Sequence, residues 1–257
     1  MDEASKLPFT AHLEELRKRL IVCFVAVGIG FALSYGFKET LFNILVNPLV
    51  KVMKPGDSLI FTGLPEAFFT YLKVAFLAGL MLAAPIIIYQ FWMFVAPGLY
   101  DREKRLMLPI VMLSSFFFVG GALFGYFVVF PWGFKFFLGF ASETIRPMPS
   151  MKEYLGFSAK LLLAFGLVFE LPLVITFLAR LGIVSVDFLK KKRKYALLVF
   201  FAGSAILTPP DVVTQIMMAL PLMLLYEISI FGARIFGRKT DNEETDVEES
   251  AAAESGE

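Results

Sequence analysis

A single cysteine, Cys23, and a single histidine, His12, stand in 257 residues. One cysteine excludes an intrachain disulfide and says nothing about redox compartment. One histidine excludes a multi-histidine metal site, and neither a metal nor a cofactor is expected. HExxH, GxSxG and GxxxxGKS/T are all absent, so a zinc protease, an α/β-hydrolase and a P-loop ATPase lack motif support. No nucleophile and base pair stands out for any other hydrolytic chemistry, and no enzyme activity is expected. Charge is scarce as well, at 18% of residues, against about 25% in soluble globular chains.

What fills the space is apolar. The chain is 58% hydrophobic and 16% aromatic, with a mean hydropathy of +0.72, which marks an integral membrane protein. Six uncharged runs organise it. Leu20 to Gly36 follows the basic Arg17-Lys18-Arg19 and is long enough to span, so it is read as a first transmembrane helix rather than a cleaved signal. Phe76 to Val95 is the second span, with Pro85 as a kink and Gln90 as a polar contact; Leu106 to Phe134 is the third, with Trp132 as an interfacial anchor. Leu161 to Ala179 is the fourth, interrupted by Glu170, and Tyr195 to Pro210 and Val212 to Tyr226 are the fifth and sixth. Sixteen helical residues reach only about 24 Å across a hydrocarbon core of about 30 Å, so the last two helices are expected to be short and to thin the bilayer locally.

The intervening stretches are read as loops: Phe37 to Thr70 with a short amphipathic helix that Pro48 bends or breaks, Lys135 to Lys160, and the basic Arg180 to Lys194. The expected fold is therefore an all-α integral membrane protein of six transmembrane helices, residues 1–239, followed by a disordered acidic tail, residues 240–257. With six spans both termini share a side. That side carries sixteen of the 24 lysines and arginines, which predicts cytoplasmic termini.

Five charged or polar positions call for explanation. Glu103 lies in the polar bridge Ala96 to Leu106, where Asp101 has Lys104 and Arg105 at helical spacing but Glu103 faces no base. In His12-Leu13-Glu14-Glu15-Leu16-Arg17-Lys18-Arg19-Leu20, Glu14 falls near Arg17 and Lys18, and Glu15 near Lys18 and Arg19. Glu170 is an acid within an apolar span, two residues before Pro172, and must face protein or water. Gln215, one turn after Asp211, is a candidate for an inter-helix hydrogen bond. One reading of Glu170 is the ion site of a small-solute transporter, which would call for paired repeats or two broken helices that are not evident.

Taken in order, that N-terminal motif, Pro48-Leu49, Phe94-Val95-Ala96-Pro97-Gly98-Leu99-Tyr100, Glu103-Lys104-Arg105, Tyr126-Phe127-Val128-Val129-Phe130-Pro131, Phe169-Glu170-Leu171-Pro172 and Leu207-Thr208-Pro209-Pro210-Asp211 resemble TatC, the polytopic subunit of the twin-arginine protein translocase. The resemblance covers about Phe9 to Arg238. It implies a receptor for signal peptides with paired arginines in the bacterial cytoplasmic (inner) membrane. Such a receptor acts in an oligomer with the single-span TatA and TatB subunits, exports folded proteins using the protonmotive force, and involves no nucleic acid. It further implies that Glu15 and Glu103 contact the arginine pair beside Phe94, and that Pro48, Glu170, Asp211 and Gln215 serve transport or subunit contact. Glu14 departs from the family pattern, where an apolar or variable residue is common, and leaves open which N-terminal carboxylate faces the ligand.

Overall fold

The described parts of the six uncharged runs fall mainly on helix in the computed structural model, which describes residues 9–54, 57–95, 107–142, 146–207 and 211–237. Helices form because an uncharged run in hydrocarbon has no other way to satisfy its backbone. The described residues make α1 (Phe9–Tyr35), α2 (Lys38–Val50), α3 (Glu66–Val95), α4 (Met107–Phe124), a π-helical turn (Gly125–Val129), α5 (Phe130–Leu138), α6 (Met151–Val168), α7 (Leu171–Arg180), α8 (Val186–Lys191), α9 (Arg193–Leu207) and α10 (Val212–Phe236). Four helical segments are long and apolar enough to cross a membrane, and a fifth is added if α1 and α2 count as one bent span. The chain divides into two compact units, Met1–Leu167 and Val168–Glu257.

In the first unit α1 and α3 run antiparallel and touch backbone to backbone. Ala26, Gly30 and Ser34 on α1 and Ala75, Gly79 and Ala83 on α3 repeat every fourth residue, the small-residue stripe that lets membrane helices approach. A Cβ on Gly30 would lie 2.5 Å from the Gly79 carbonyl oxygen, and one on Gly79 would strike the backbone nitrogen of Phe31. Lipid takes the opposite face of α1, where Leu20, Phe24, Val25, Ile29 and Leu33 are exposed.

Between Tyr35 and Lys38 the chain turns, and α2 leaves at 88° to α1. Pro48 does not break α2, one of the two outcomes expected from the sequence, because it falls in the last turn, three residues before the C-cap Lys51. Its effect is local. Proline has no N–H to give the carbonyl four residues back, and that carbonyl, of Ile44, accepts instead from Tyr126 Oη at 2.5 Å. Tyr154 Oη donates to the next carbonyl, of Leu45, at 2.6 Å.

Tyr126 lies in the π-helical turn, just upstream of Pro131, which cannot donate to the helix either. The backbone N–H of Phe130 bonds to the Gly125 carbonyl, widening the helix by one residue. The expected loop from Lys135 to Lys160 is corrected: α5 runs to Leu138 and α6 begins at Met151. Lys152, Glu153 and Lys160 made that stretch read as loop, yet Met151, Tyr154, Leu155, Ser158, Leu161, Leu162 and Phe165 are buried at helical intervals, and the charges occupy the other face.

The loop before α3 is fastened to the segment before α6. Ile60 donates to the Pro149 carbonyl at 3.1 Å and accepts from Met151 N–H at 2.9 Å. Glu66, in the first turn of α3, accepts from the N–H groups of Thr62, Gly63 and Lys152 and from the Ser150 hydroxyl, at 2.8 to 3.2 Å.

In the second unit α7 and α10 pack most closely, with Gly232 set against Thr176 so tightly that a Cβ would collide with the hydroxyl oxygen. Its core comprises Ala179, Leu189, Tyr226, Ile230 and Ala233, and Tyr226 Oη donates to the Leu189 carbonyl at 2.9 Å. The expected loop from Arg180 to Lys194 contains α8 and the start of α9, set off from α7 by Gly182, whose φ of 74° suits only glycine. The short final pair is also corrected. Helix α9 has 15 residues, but α10 continues past Tyr226 to a length of 25. Glu227 does not end it, because the carboxylate lies outward and pairs with Arg193 at 2.7 Å.

Candidate functional site

The antiparallel pairing of α1 and α3 brings the first turns of α1 beside the last turns of α3. His12, Glu15 and Arg19 occupy one face of α1 at spacings of three and four; Gln90 and Phe94 lie one turn apart on α3. His12 stacks on Phe94, ring centroids 4.3 Å apart and planes 22° from parallel. Arg19 lies deeper, its Nη1 donating to Gln90 Oε1 at 3.2 Å. Its Nε donates to Glu15 Oε1 at 3.0 Å, and its Nη2 reaches the same oxygen. The other carboxylate oxygen, Oε2, is 4.0 Å from His12 Nδ1.

Burial separates the two N-terminal acids. The Glu15 and Arg19 side chains are 26% and 18% exposed, whereas Glu14 and Lys18 are 65% and 73% exposed. Glu14 pairs with Lys18 at 2.8 Å, and that hydrogen bond, with the ammonium charge, holds its carboxyl below the usual carboxylate value. This is a solvated pair of the kind that contributes little. Glu15 is the acid turned towards α3.

The expected site residues are thus partly gathered. Glu15 and Phe94 share one cluster, linked through His12. Glu103, with the whole Ala96 to Leu106 bridge, lies outside the described residues. Pro48 is not near Glu15, since α2 leaves the opposite end of α1, and its role there is the carbonyl it frees for Tyr126.

The other three belong to the second unit. Glu170 stands at the N-cap of α7, its carbonyl accepting from Leu173 and Val174 N–H at 3.1 and 2.9 Å, so the expected interruption of the fourth run is present. Asp211 is the N-cap of α10: its carboxylate accepts from Thr214 N–H at 2.7 Å and from the Thr214 hydroxyl. That satisfies a backbone donor the helix would otherwise leave open. Gln215 Nε2 donates to the Phe201 carbonyl at 2.9 Å, which is the inter-helix bond expected of it.

Two features were not read from the sequence. Arg19 and Gln90 are 71 positions apart, and only the Gly30 and Gly79 register brings them together. The fourfold small-residue spacing on the first two spans was the available signal. The Glu66 clasp was missed too, although Thr62-Gly63-Leu64-Pro65-Glu66 carries a proline before an acidic first turn, a recognisable helix start.

Chemically, the cluster is a half-shielded carboxylate beside an aromatic pair, suited to a planar cation with several donors. Comparison with known proteins gives the family of the chain. A family model described as "Sec-independent protein translocase protein (TatC)" matches residues 11–221. A Sec-independent protein translocase protein TatC from Desulforapulum autotrophicum is 68% identical over 232 residues, covering 90% of this chain and 86% of the relative. The protein of that name from Escherichia coli K12 is 41% identical over 227 residues, 88% of each. A crystal structure of the twin-arginine translocase receptor TatC matches with a TM-score of 0.80 at 41% identity, over 88% of this chain and all of that one.

Proposed function

Since the chain belongs to the TatC family, we propose that it is the receptor and core subunit of a twin-arginine translocase in the bacterial cytoplasmic membrane, with both termini cytoplasmic. It binds the paired arginines of signal peptides and works with single-span TatA and TatB subunits. Together they pass folded proteins across the membrane at the expense of the protonmotive force. The small-solute transporter reading is set aside, as no observation favours it.

The observation that carries this reading is the half-buried Glu15 carboxylate beside the stacked His12 and Phe94 rings. A guanidinium offers two parallel donors to a carboxylate where a lysine ammonium offers a point charge, which favours arginine. Glu103, from the bridge that follows α3, supplies the second acid for the second arginine. Exposed ion pairs contribute about 0.2 to 1 kcal/mol each, while even millimolar affinity requires about 4 kcal/mol. The apolar part of the signal therefore provides most of the binding, and the carboxylates provide the choice. Pro48, Glu170, Asp211 and Gln215 serve transport or contact with the partner subunits.

The test is export of a folded reporter with a paired-arginine signal, in cells lacking their own TatC, with and without this chain. Export should be restored by the natural sequence and by Glu14→Gln, and should fall at least about tenfold with Glu15→Gln or Glu103→Gln although the protein is inserted at normal levels. Equal export by the Glu15→Gln and Glu14→Gln variants would remove Glu15 from the site.

A further inference from the structure

Glu15 is not vacant. A guanidinium of the chain's own already holds it, with Nε and Nη2 of Arg19 on one carboxylate oxygen and Nη1 on Gln90. We propose that Arg19 is an internal stand-in for a ligand arginine, and that Gln90 is the acceptor that retains Arg19 once the ligand displaces it from Glu15. The proposal rests on the reading of Glu15 as an arginine-binding acid and assigns a regulation to that site.

The argument follows from what each group needs. Glu15 and Arg19 are both largely shielded from water, so each would be costly to leave unpaired. A ligand arginine supplies Glu15 with the same fork of donors, but two guanidiniums on one carboxylate repel each other. The incoming arginine is accommodated if Arg19 withdraws. Withdrawal would strand Arg19 unless another acceptor were within reach, and the Gln90 side-chain oxygen already lies 3.2 Å from Nη1. A neutral amide suits this task, because it holds the guanidinium without drawing it permanently away from Glu15. Lys18 could not act as the stand-in: it projects into solvent towards Glu14.

A competitor built into the receptor subtracts the same free energy from every ligand. Its removal should therefore raise affinity without altering the preference for arginine over lysine. Binding is measured with the full-length chain in lipid nanodiscs, using a fluorescent synthetic peptide with paired arginines ahead of an apolar segment and its paired-lysine counterpart, per correctly sized receptor. Arg19→Gln should tighten both peptides about fivefold, the equivalent of about 1 kcal/mol. Arg19→Lys, which keeps the charge and the fold but loses the fork, should tighten them about twofold. Gln90→Leu should weaken binding about threefold in the natural background and not at all when combined with Arg19→Gln.

If Glu15→Gln weakens binding while Arg19→Gln and Arg19→Lys leave it unchanged or lower it, the stand-in is overturned and the receptor reading stands. If Glu15→Gln itself has no effect on either peptide, the site reading fails and the stand-in with it.

Discussion

Asp211, proposed above to serve transport, has a local backbone function in the structure. Its carboxylate closes the first turn of α10 onto Thr214, and N-cap replacement by alanine costs about 1 kcal/mol. Asp211→Ala should lower the thermal unfolding midpoint of the purified protein, and Asp211→Ser or Asp211→Asn should not. Should export fail with Asp211→Asn at unchanged stability, the charge itself does the transporting work. At this scale the sequence was informative where partners are near neighbours. The Glu14 to Lys18 and Glu15 to Arg19 pairs follow from helical spacing alone. Which acid is shielded did not follow, because that depends on α3 arriving from some 70 residues away, and periodicity carries no distance information of that kind.

For whole elements, proline is the better guide to what the sequence discloses. Pro48 was legible as a defect in hydrogen bonding, but its position in the final turn frees the Ile44 carbonyl to accept from Tyr126 rather than breaking the helix. Tyr126→Phe should destabilise the protein by about 1 kcal/mol, since the Ile44 carbonyl loses its partner. In a Pro48→Ala background, where an N–H returns four residues along, the same change should cost much less. Equal costs in both backgrounds, measured by thermal or denaturant unfolding, would show that the two groups do not share that carbonyl. Element ends were the least legible part. Lys152, Lys160, Glu227 and Arg193 each made helix look like loop, because an uncharged run marks where lipid is and not where the helix stops.

Across the molecule the apolar runs were sufficient to give the all-helical membrane class, and the ordered motifs were sufficient to give the family. Length is where the structure changes the expectation. Helix α9 covers about 22 Å and α10 about 37 Å, against a core of about 30 Å. Any local thinning of the bilayer belongs to α9. Four leucines inserted in α9 add about 6 Å and should reduce export of a folded reporter at least severalfold, while the same insertion in α10 should do less; unimpaired export with the longer α9 would defeat the thinning idea.

The glycine contact between α1 and α3 has a mechanical side. Gly30 and Gly79 make a pivot with no slack, and Arg19 stands eleven residues along one arm, about 16 Å away. Two rods pinned at such a point behave like the blades of a pair of scissors, in which a wedge of one methyl group at the pin opens the tips by far more than its own width. The spacing of Glu15 and Arg19 from Gln90 and Phe94 is thus calibrated by two residues that have no side chain at all.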